Sequence, residues 1–272
     1  MKDPIQNIFN NLIQKINLSE KQSDLLVKKI FNNELNTTQI SVILTLMYQK
    51  GESFEEIYSF VEIYSFVKYL KSKSLKLKLN GDFIDTCGTG GDNKNSFNFS
   101  TATSILLSTF DVKIVKHGNR SITSKSGSFD VLESLGIKIL SDQKKIENFF
   151  LKNNICFLFA PYFHSSLKNV AEIRKSIPFR TIFNLLGPLL NPVKLKYQLL
   201  GVSNENNLIT HAKCMKQLNI KKGWVVFNEK GYDELTTTSN NIYVEIKDGK
   251  LMPKRKINPI SLGFKIRSES EL

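Results

Sequence analysis

Asp85-Thr86-Cys87-Gly88-Thr89-Gly90-Gly91-Asp92, continued by Asn98-Phe99-Ser100-Thr101, is the stretch around which the chain is organised. Phe83 and Ile84 lead into it as a short buried strand. Three glycines in four residues then let the backbone turn tightly and approach a ligand without Cβ atoms in the way. From Ser100 to Phe110 the pattern is helical. A strand, a glycine turn and a helix N-terminus in that order make an anion site, because free N–H groups and the positive end of the helix dipole point at one spot. Asp85 and Asp92 argue against a bare phosphate cradle: carboxylates beside phosphates call for a magnesium ion or a ribose hydroxyl between them. A glycine cluster by itself is equally compatible with a plain tight turn.

A second stretch shifts that balance. Lys116-His117-Gly118-Asn119-Arg120-Ser121 follows the apolar run Val112–Val115. It falls at the C-terminal end of the next predicted strand, where ligands bind in open α/β sheets. Lysine, asparagine, arginine and serine there supply donors for phosphate and polar groups, the alternative being a solvated basic loop. The run Ser124–Ser128, with Gly127, opens another helix.

Seven blocks, in this order and spacing, resemble anthranilate phosphoribosyltransferase, of the class that shares its fold with pyrimidine nucleoside phosphorylases. They are Gly88-Thr89-Gly90-Gly91-Asp92, Asn98-Phe99-Ser100-Thr101, Lys116-His117-Gly118-Asn119-Arg120, Lys125-Ser126-Gly127-Ser128, Arg180-Thr181-Ile182-Phe183-Asn184, Leu186-Gly187-Pro188-Leu189-Leu190-Asn191-Pro192 and Gly231-Tyr232-Asp233-Glu234-Leu235. The resemblance runs from about Leu18 onward. The lysine–serine phosphate signature of the nucleoside phosphorylases is not found.

Length and composition fit that class. The 272 residues can form one large domain or two modest ones. A hydrophobic content of 41% with 10% aromatics describes a globular chain. No apolar run is long enough to span a bilayer, and Met1–Asn10 has no signal-peptide core. Cys87, Cys156 and Cys214 are widely spaced and form no metal pattern, which points to a reduced, cytoplasmic setting. The formal charge is +13, yet only five of the 38 cations are arginine. A lysine-rich solvated surface explains this most simply; attraction for an anionic substrate or nucleic acid is the alternative. The densest patch, Lys71–Lys78, lacks the interleaved aromatics of a single-strand stacking platform.

Residues 1–73 read as all helix. Ser19-Glu20-Lys21-Gln22 is a capping box before Leu25, Leu26, Ile30 and Phe31, at helical spacing. Ile40, Ile43, Leu44 and Met47 continue the stripe, Gly51 breaks it, and Ser53-Phe54-Glu55-Glu56 caps a third helix. The hexapeptide Glu56–Val61 is repeated without change as Glu62–Val67. Six extra helical residues add roughly 9 Å and rotate the downstream residues by about 240°, so the insert must be absorbed as a bulge or a longer turn. Its period is too short for a solenoid. From about Asn80, apolar runs at Phe83–Ile84, Val112–Val115, Ile137–Leu140 and Ile155–Phe159 alternate with helix-compatible segments. That is βαβ order and predicts a parallel sheet. Ser166–Ser176 reads as helix ended by Pro178, and Arg180–Leu186 as a further short helix. Strands resume at Gln198–Val202, Trp224–Phe227 and Ile242–Ile246.

The expected fold is therefore α/β: a small helical N-terminal domain and a larger domain with a mainly parallel central sheet. By the resemblance, residues 1–73 are completed by helices within about 166–190, and residues 74–165 and 191–272 form the phosphoribosyl-pyrophosphate-binding domain. It also implies further helices beyond Leu272 that would cover the sheet, whose apolar faces would otherwise be wet.

The same resemblance implies phosphoribosyl transfer from phosphoribosyl pyrophosphate to anthranilate in tryptophan synthesis, by a cytoplasmic homodimer joined through the helical domain. Matching positions would hold phosphoribosyl pyrophosphate: Gly88, Gly91, Asp92, Ser96, Asn98, Phe99, Ser100 and Thr101. Lys116, His117, Gly118, Asn119, Arg120, Ser121, Ile122, Thr123, Ser124 and Ser128 would close over it. Ser100, Asp233 and Glu234 would carry Mg2+, which suits hard oxygen ligands. Arg174 would pair with the anthranilate carboxylate as a planar fork, with Asn119 beside it. Catalysis would be by positioning, with no residue acting as general base, since an arylamine sheds its proton after attack. His117 is read as positioning, His164 and His211 as structural. Two readings from other classes stand beside this one. One is a nucleic-acid-binding relative, motivated by the charge and opposed by Arg174 and the acidic pair. The other is an inactive remnant, motivated by the duplication and the missing helices.

Overall fold

The computed structural model describes residues 3–51, 60–94, 96–121 and 127–272. In chain order the elements are α1 (Pro4–Ile13), α2 (Glu20–Phe31), α3 (Thr37–Gly51), α4 (Phe60–Lys73), β1 (Ile84–Gly88), α5 (Phe99–Ser108), β2 (Ile114–Gly118), α6 (Ser128–Ser134), α7 (Gln143–Asn153), β3 (Ile155–Phe159), α8 (Ala160–Phe163), α9 (Ala171–Ser176), α10 (Phe183–Leu186), β4 (Tyr197–Gly201), α11 (Asn207–Gln217), β5 (Lys222–Asn228), β6 (Asn241–Lys247), β7 (Lys250–Leu251) and β8 (Arg255–Ile257). Contacts divide the chain into two compact units, Met1–Ser74 with His164–Leu190, and Leu75–Phe163 with Asn191–Leu272.

The helical unit forms because its apolar residues recur at helical spacing. Ser19 caps α2 by accepting from the Gln22 N–H, and the Gln22 side chain reaches back to the Ser19 N–H, the capping box read from the sequence. Leu26, Val27, Ile30 and Phe31 of α2 are buried, as are Ile63, Phe66, Val67 and Leu70 of α4. The second copy of the hexapeptide thus supplies core, in phase with the rest of α4. The predicted cap at Ser53–Glu56 and most of the first copy lie outside the described residues. Glu62, fully buried, takes a salt bridge from Lys50, itself buried, and accepts the Leu18 N–H at 3.1 Å. Lys50 also donates to Asn17 Oδ1 at 2.8 Å.

The second unit is built on one sheet in the order β3-β2-β1-β4-β5-β6-β7, with β8 pairing β6 off that path. Strands β1 to β5 pair in parallel, and β6 onward antiparallel. A helical domain with a mainly parallel α/β domain is the expected class. Residues Ile137–Leu140, expected as a strand, are not in the sheet: β2 pairs directly with β3. Ile137 and Ile139 instead pack against the cluster of Ile114, Phe129, Leu132, Ile155, Phe157 and Phe159. Their apolar run reflects burial without a strand partner. Two further boundaries move. β1 runs to Gly88 and β2 to Gly118, so both ligand motifs begin inside strands rather than after them. Ser165–Val170 is a 3-10 turn and only Ala171–Ser176 is α-helical.

Gly223 in β5 leaves room for Met215 of α11, which covers that face of β5 and β6. The opposite face carries Tyr197, Leu199, Trp224 and Tyr243, all half-exposed, with the Trp224 and Tyr243 rings stacked 4.4 Å apart.

Removing one member of a buried ion pair leaves the other charge uncompensated, at a cost of about 3–5 kcal/mol. Glu62→Ala is expected to lower the Tm by an amount on the order of 10 °C. The double variant Lys50→Met, Glu62→Leu, with no buried charge, is expected to recover much of it. Differential scanning calorimetry decides: a Glu62→Ala chain melting with the parent shows that the pair contributes nothing.

Candidate active site

The glycine turn is anchored to distant parts of the sheet rather than to its own strand. The Thr89 N–H donates to Gly201 O at 2.9 Å, and Ser203 Oγ donates to Gly90 O at 3.2 Å. Gly90 and Gly91 both have left-handed backbone, at φ 65° and 69°, which L side chains adopt only with strain. The Gly90 N–H donates to Asp233 Oδ2 at 2.7 Å across 143 residues of chain. A Cβ on Gly88 would stand 2.2 Å from Asp233 Oδ2, and one on Gly201 only 1.6 Å from Asp233 O. Two glycines on adjacent parallel strands therefore let the Asp233 loop lie directly against the turn.

The helix after the turn presents its N-terminus here. Asn98 caps α5, its Oδ1 accepting the Thr101 N–H at 3.2 Å. Beneath it, Lys116 is only 1% exposed, so this lysine is not part of a solvated basic loop, whereas Asn119 and Arg120 are exposed. Its Nζ donates to Thr86 O at 2.7 Å and to Ser100 Oγ at 3.3 Å, tying β2 to β1 and to the first turn of α5. Burial pulls its pKa below the ordinary lysine value, opposed by the fields of Asp85, Cys87 and Glu234. Asp85, also 1% exposed, accepts from Asn191 Nδ2 at 2.9 Å and from the His117 N–H at 3.4 Å through Oδ2. Its Oδ1 has no hydrogen-bond partner among the described residues. Burial pushes the Asp85 carboxyl up to about 6, with Lys116 pulling the other way.

Asp233 and Glu234 complete the cluster. Glu234 accepts the Ser100 N–H, and burial, then repulsion from Asp233, raise its carboxyl to about 8. Adjacent carboxylates that resist joint ionisation, beside a hydroxyl on a helix N-terminus, are a donor set of hard oxygens suited to magnesium. Among the described residues no group of three or more His, Cys, Asp and Glu converges as a preformed cage. Magnesium commonly takes one or two carboxylates from a protein and completes its shell from phosphates and water.

The other expected residues divide by position. Asp92, Ser96 and Asn98 are half-buried along the segment from the turn to α5, Asp92 Oδ1 accepting the Lys94 N–H at 3.1 Å. Phe99 stands edge-on to Phe97, which is exposed. Thr101 is buried, and its Oγ1 has no polar partner among the described residues. His117 and Gly118 end β2, and a Cβ on Gly118 would meet Ser128 Oγ at 2.2 Å. Asn119 O accepts from Ser128 Oγ at 3.3 Å. Arg120 is engaged elsewhere: Nε and Nη2 donate to Glu133 at 3.0 and 2.8 Å, and its guanidinium lies 4.9 Å from the Phe159 ring centroid. Ile122, Thr123 and Ser124, with Lys125 and Ser126, lie outside the described residues. In the helical unit, Arg174 of α9 is half-buried over the Phe183 ring at 5.3 Å. Burial lowers its pKa, and no acid pairs with it among the described residues. His164 and His211 are buried; His211 Nδ1 is 2.9 Å from Asn207 O within α11.

Some members of this site were not singled out from the sequence. Gly201 and Asn191 act through partners far along the chain. Asp130 Oδ2 accepts the N–H groups of both Ser121 and Gly127, at 2.8 and 2.7 Å, so it joins the two ends of the segment 122–126. Its position three residues into a helix opened by Gly127 is a capping pattern that could have flagged it.

Comparison with known proteins places this arrangement in a class. A family model described as "Glycosyl transferase family, helical bundle domain" matches residues 6–64, and "Glycosyl transferase family, a/b domain" matches residues 80–272. The architecture, the glycine turn and the acidic pair thus sit in a two-domain glycosyl transferase. Curated anthranilate phosphoribosyltransferases are close to this chain: that of Petrotoga mobilis is 38% identical over 270 residues, covering 97% of this chain and 76% of the relative, and that of Clostridium kluyveri is 40% identical over 263 residues, covering 95% and 76%. The chain belongs to the anthranilate phosphoribosyltransferase family. Among solved structures, anthranilate phosphoribosyltransferase from Thermus thermophilus matches with a TM-score of 0.85 at 28% identity, over 97% of this chain and 77% of that one. The Saccharomyces cerevisiae enzyme, solved in complex with PRPP and Mg, also matches at 0.85, at 25% identity, over 100% and 77%.

Asp85 and Glu234 hold their protons more tightly folded than unfolded, so between about pH 4 and pH 8 these two sites bind more protons in the native than in the unfolded chain. Their contribution is fully present below about pH 4 and is lost as pH rises through the folded values. The Tm of the magnesium-free chain is therefore expected to fall between about pH 5 and pH 8, and Glu234→Gln to flatten much of that fall. Melting curves at three or four pH values test it; a parent chain that gains stability over this window contradicts the assignment.

Proposed function

We propose that this chain transfers the phosphoribosyl group of phosphoribosyl pyrophosphate to the amine of anthranilate, releasing pyrophosphate. The observation that carries this reading is the convergence of four groups at the carboxyl edge of the sheet. They are the Gly88–Gly91 turn, the N-terminus of α5, Lys116 and the Asp233–Glu234 pair. In the reaction a bond forms between the amine nitrogen and the ribose anomeric carbon as the bond from that carbon to pyrophosphate oxygen breaks. The electron pair leaves with the pyrophosphate, and the arylammonium then loses its proton to solvent.

The residues supply positioning and charge. The positive end of the α5 dipole favours the leaving phosphates, where anionic charge grows, while the Gly90, Ser100 and Thr101 N–H groups are taken up by Asp233, Glu234 and Asn98. Asp92, Ser96, Asn98, Phe99, Ser100 and Thr101 line this stretch, and Lys116, His117, Gly118, Asn119, Arg120, Ser121, Ile122, Thr123, Ser124 and Ser128 are proposed to close over it. Ser100, Asp233 and Glu234 would hold Mg2+, which when bound neutralises the departing pyrophosphate. Arg174 offers its planar fork to the anthranilate carboxylate; its half-buried guanidinium without an acid partner supports this. No general base is assigned. The two units serve as a helical acceptor-binding domain and an α/β phosphoribosyl-pyrophosphate domain. Exposed Ile13, Ile16 and Val42 on the helical unit support a homodimer through it. We place the enzyme in the cytoplasm; no helix among the described residues is long and apolar enough to cross a membrane.

Anthranilate fluorescence reports the reaction. Mixing the chain with anthranilate and phosphoribosyl pyrophosphate is expected to quench it only when magnesium is present. No magnesium-dependent decay from a folded chain sinks the proposal. Arg174→Ala is expected to raise the KM for anthranilate by about tenfold to a hundredfold, the loss of one charge-assisted pair, and to leave the KM for phosphoribosyl pyrophosphate nearly unchanged. An equal rise in both would assign Arg174 to the fold.

A further inference from the structure

We propose that Phe183 is a positioning residue for the acceptor carboxylate, holding the Arg174 guanidinium on its ring face while Phe31 and Phe66 pack against the ring at near right angles. This rests on the proposed role of Arg174. Arginine is a long side chain with much rotamer freedom, and α9 has only six residues to orient it. What fixes the guanidinium is the Phe183 ring, whose centroid is 5.3 Å from Cζ. A cation over an aromatic face is held by the ring quadrupole, the more so when both are shielded from water.

The ring itself has little freedom. Phe66 meets it edge-on at 5.5 Å and 90°, and Phe31 at 6.2 Å and 85°. Phe31 and Phe66 also meet each other at 6.3 Å, and Tyr69 stacks on Phe31 at 5.2 Å. The backbone that presents Phe183 is fixed too: the Thr181 N–H donates to Asn184 Oδ1 and the Asn184 N–H to Thr181 O, both at 2.9 Å. Phe66 belongs to the second of the two identical hexapeptides. Its counterpart Phe60 does something else, stacking on Tyr64 at 5.6 Å. The register in which α4 enters the core therefore decides which phenylalanine backs the acceptor-binding cation.

The test is steady-state kinetics and anthranilate binding by calorimetry for Phe183→Met, Phe183→Leu, Arg174→Ala and the double variant Arg174→Ala, Phe183→Met. Methionine fills much of the space with a flexible apolar chain and removes the ring face. Phe183→Met is expected to raise the KM and the dissociation constant for anthranilate about threefold to tenfold, with the KM for phosphoribosyl pyrophosphate unchanged. In the Arg174→Ala background it is expected to add nothing, because a residue acting through Arg174 has nothing left to hold. If Phe183→Leu does not fold, Phe183→Met decides. An unchanged anthranilate KM, a parallel rise in both KM values, or effects of the two substitutions that multiply each overturn the proposal. An Arg174→Ala chain that binds anthranilate as the parent does removes the cation's role first, and a parent that neither binds nor turns over anthranilate removes the functional reading with it.

Discussion

One buried ammonium ties the α/β unit's ligand edge together. Lys116 reaches across from β2 to the Thr86 carbonyl and the Ser100 hydroxyl, so two strands and a helix N-terminus converge on one nitrogen. A lone buried lysine is costly, and here the cost is offset by hydrogen bonds and by the field of the Asp85 carboxylate. The acids are strained in turn. Asp85 and Glu234 are pushed up by the same burial, and Asp233 spends one oxygen on Gly90. The glycines at 88 and 201 answer this demand. Any Cβ there would push the Asp233 loop off the turn. A site so densely charged suits a ligand bearing both anionic phosphates and a divalent cation, since each sign of charge already present gains a partner.

Much of the fold was legible because it rests on local patterns. Apolar runs and helical stripes gave the βαβ order, and the capping box at Ser19 is local by definition. The failures share a cause. Ile137–Leu140 has the composition of a strand, but strand identity needs a neighbour to hydrogen-bond, and the place beside β2 is taken by β3. Lys116 reads as a loop residue because charge ordinarily implies exposure; only its distant partners explain its burial. Asp85 is legible as part of the glycine-turn stretch, but neither its burial nor the partners of Asn191 and Gly201 leave a local signal. Asn191 bonds Asp85 across 106 residues, and Gly201 matters through Asp233. The groups that meet could be read one by one. The contacts among them are set by long-range packing.

The duplicated hexapeptide shows the same limit from the other side. Two identical stretches have identical propensities, so nothing local distinguishes Glu56–Val61 from Glu62–Val67. The core distinguishes them. Glu62 finds Lys50 and the Leu18 N–H, while Ile63, Phe66 and Val67 fill the space against α2. A buried ion pair is a weak source of net stability compared with an apolar replacement, yet a half-formed one is heavily penalised. A register shifted by six residues would bring the identical Glu56 to the same place, so the ion pair demands a glutamate there without choosing between the two copies.

The arginines bear on the charge question. In a chain with a formal charge of +13, only five cations are arginine. Two of them sit in planar contacts that lysine cannot reproduce, Arg120 forking onto Glu133 and Arg174 lying over Phe183, while Arg267 meets Glu271 through one nitrogen only. The lysine excess is of a different kind, since Lys71, Lys73, Lys76 and Lys78 face solvent to varying degrees along one patch without interleaved aromatics. Net charge therefore says little here about the partner. The informative cation is Arg174, because it alone of these three arginines is half-buried against a ring with no acid beside it among the described residues. A buried guanidinium gains most from a planar carboxylate, which is the chemistry an aromatic acid would bring.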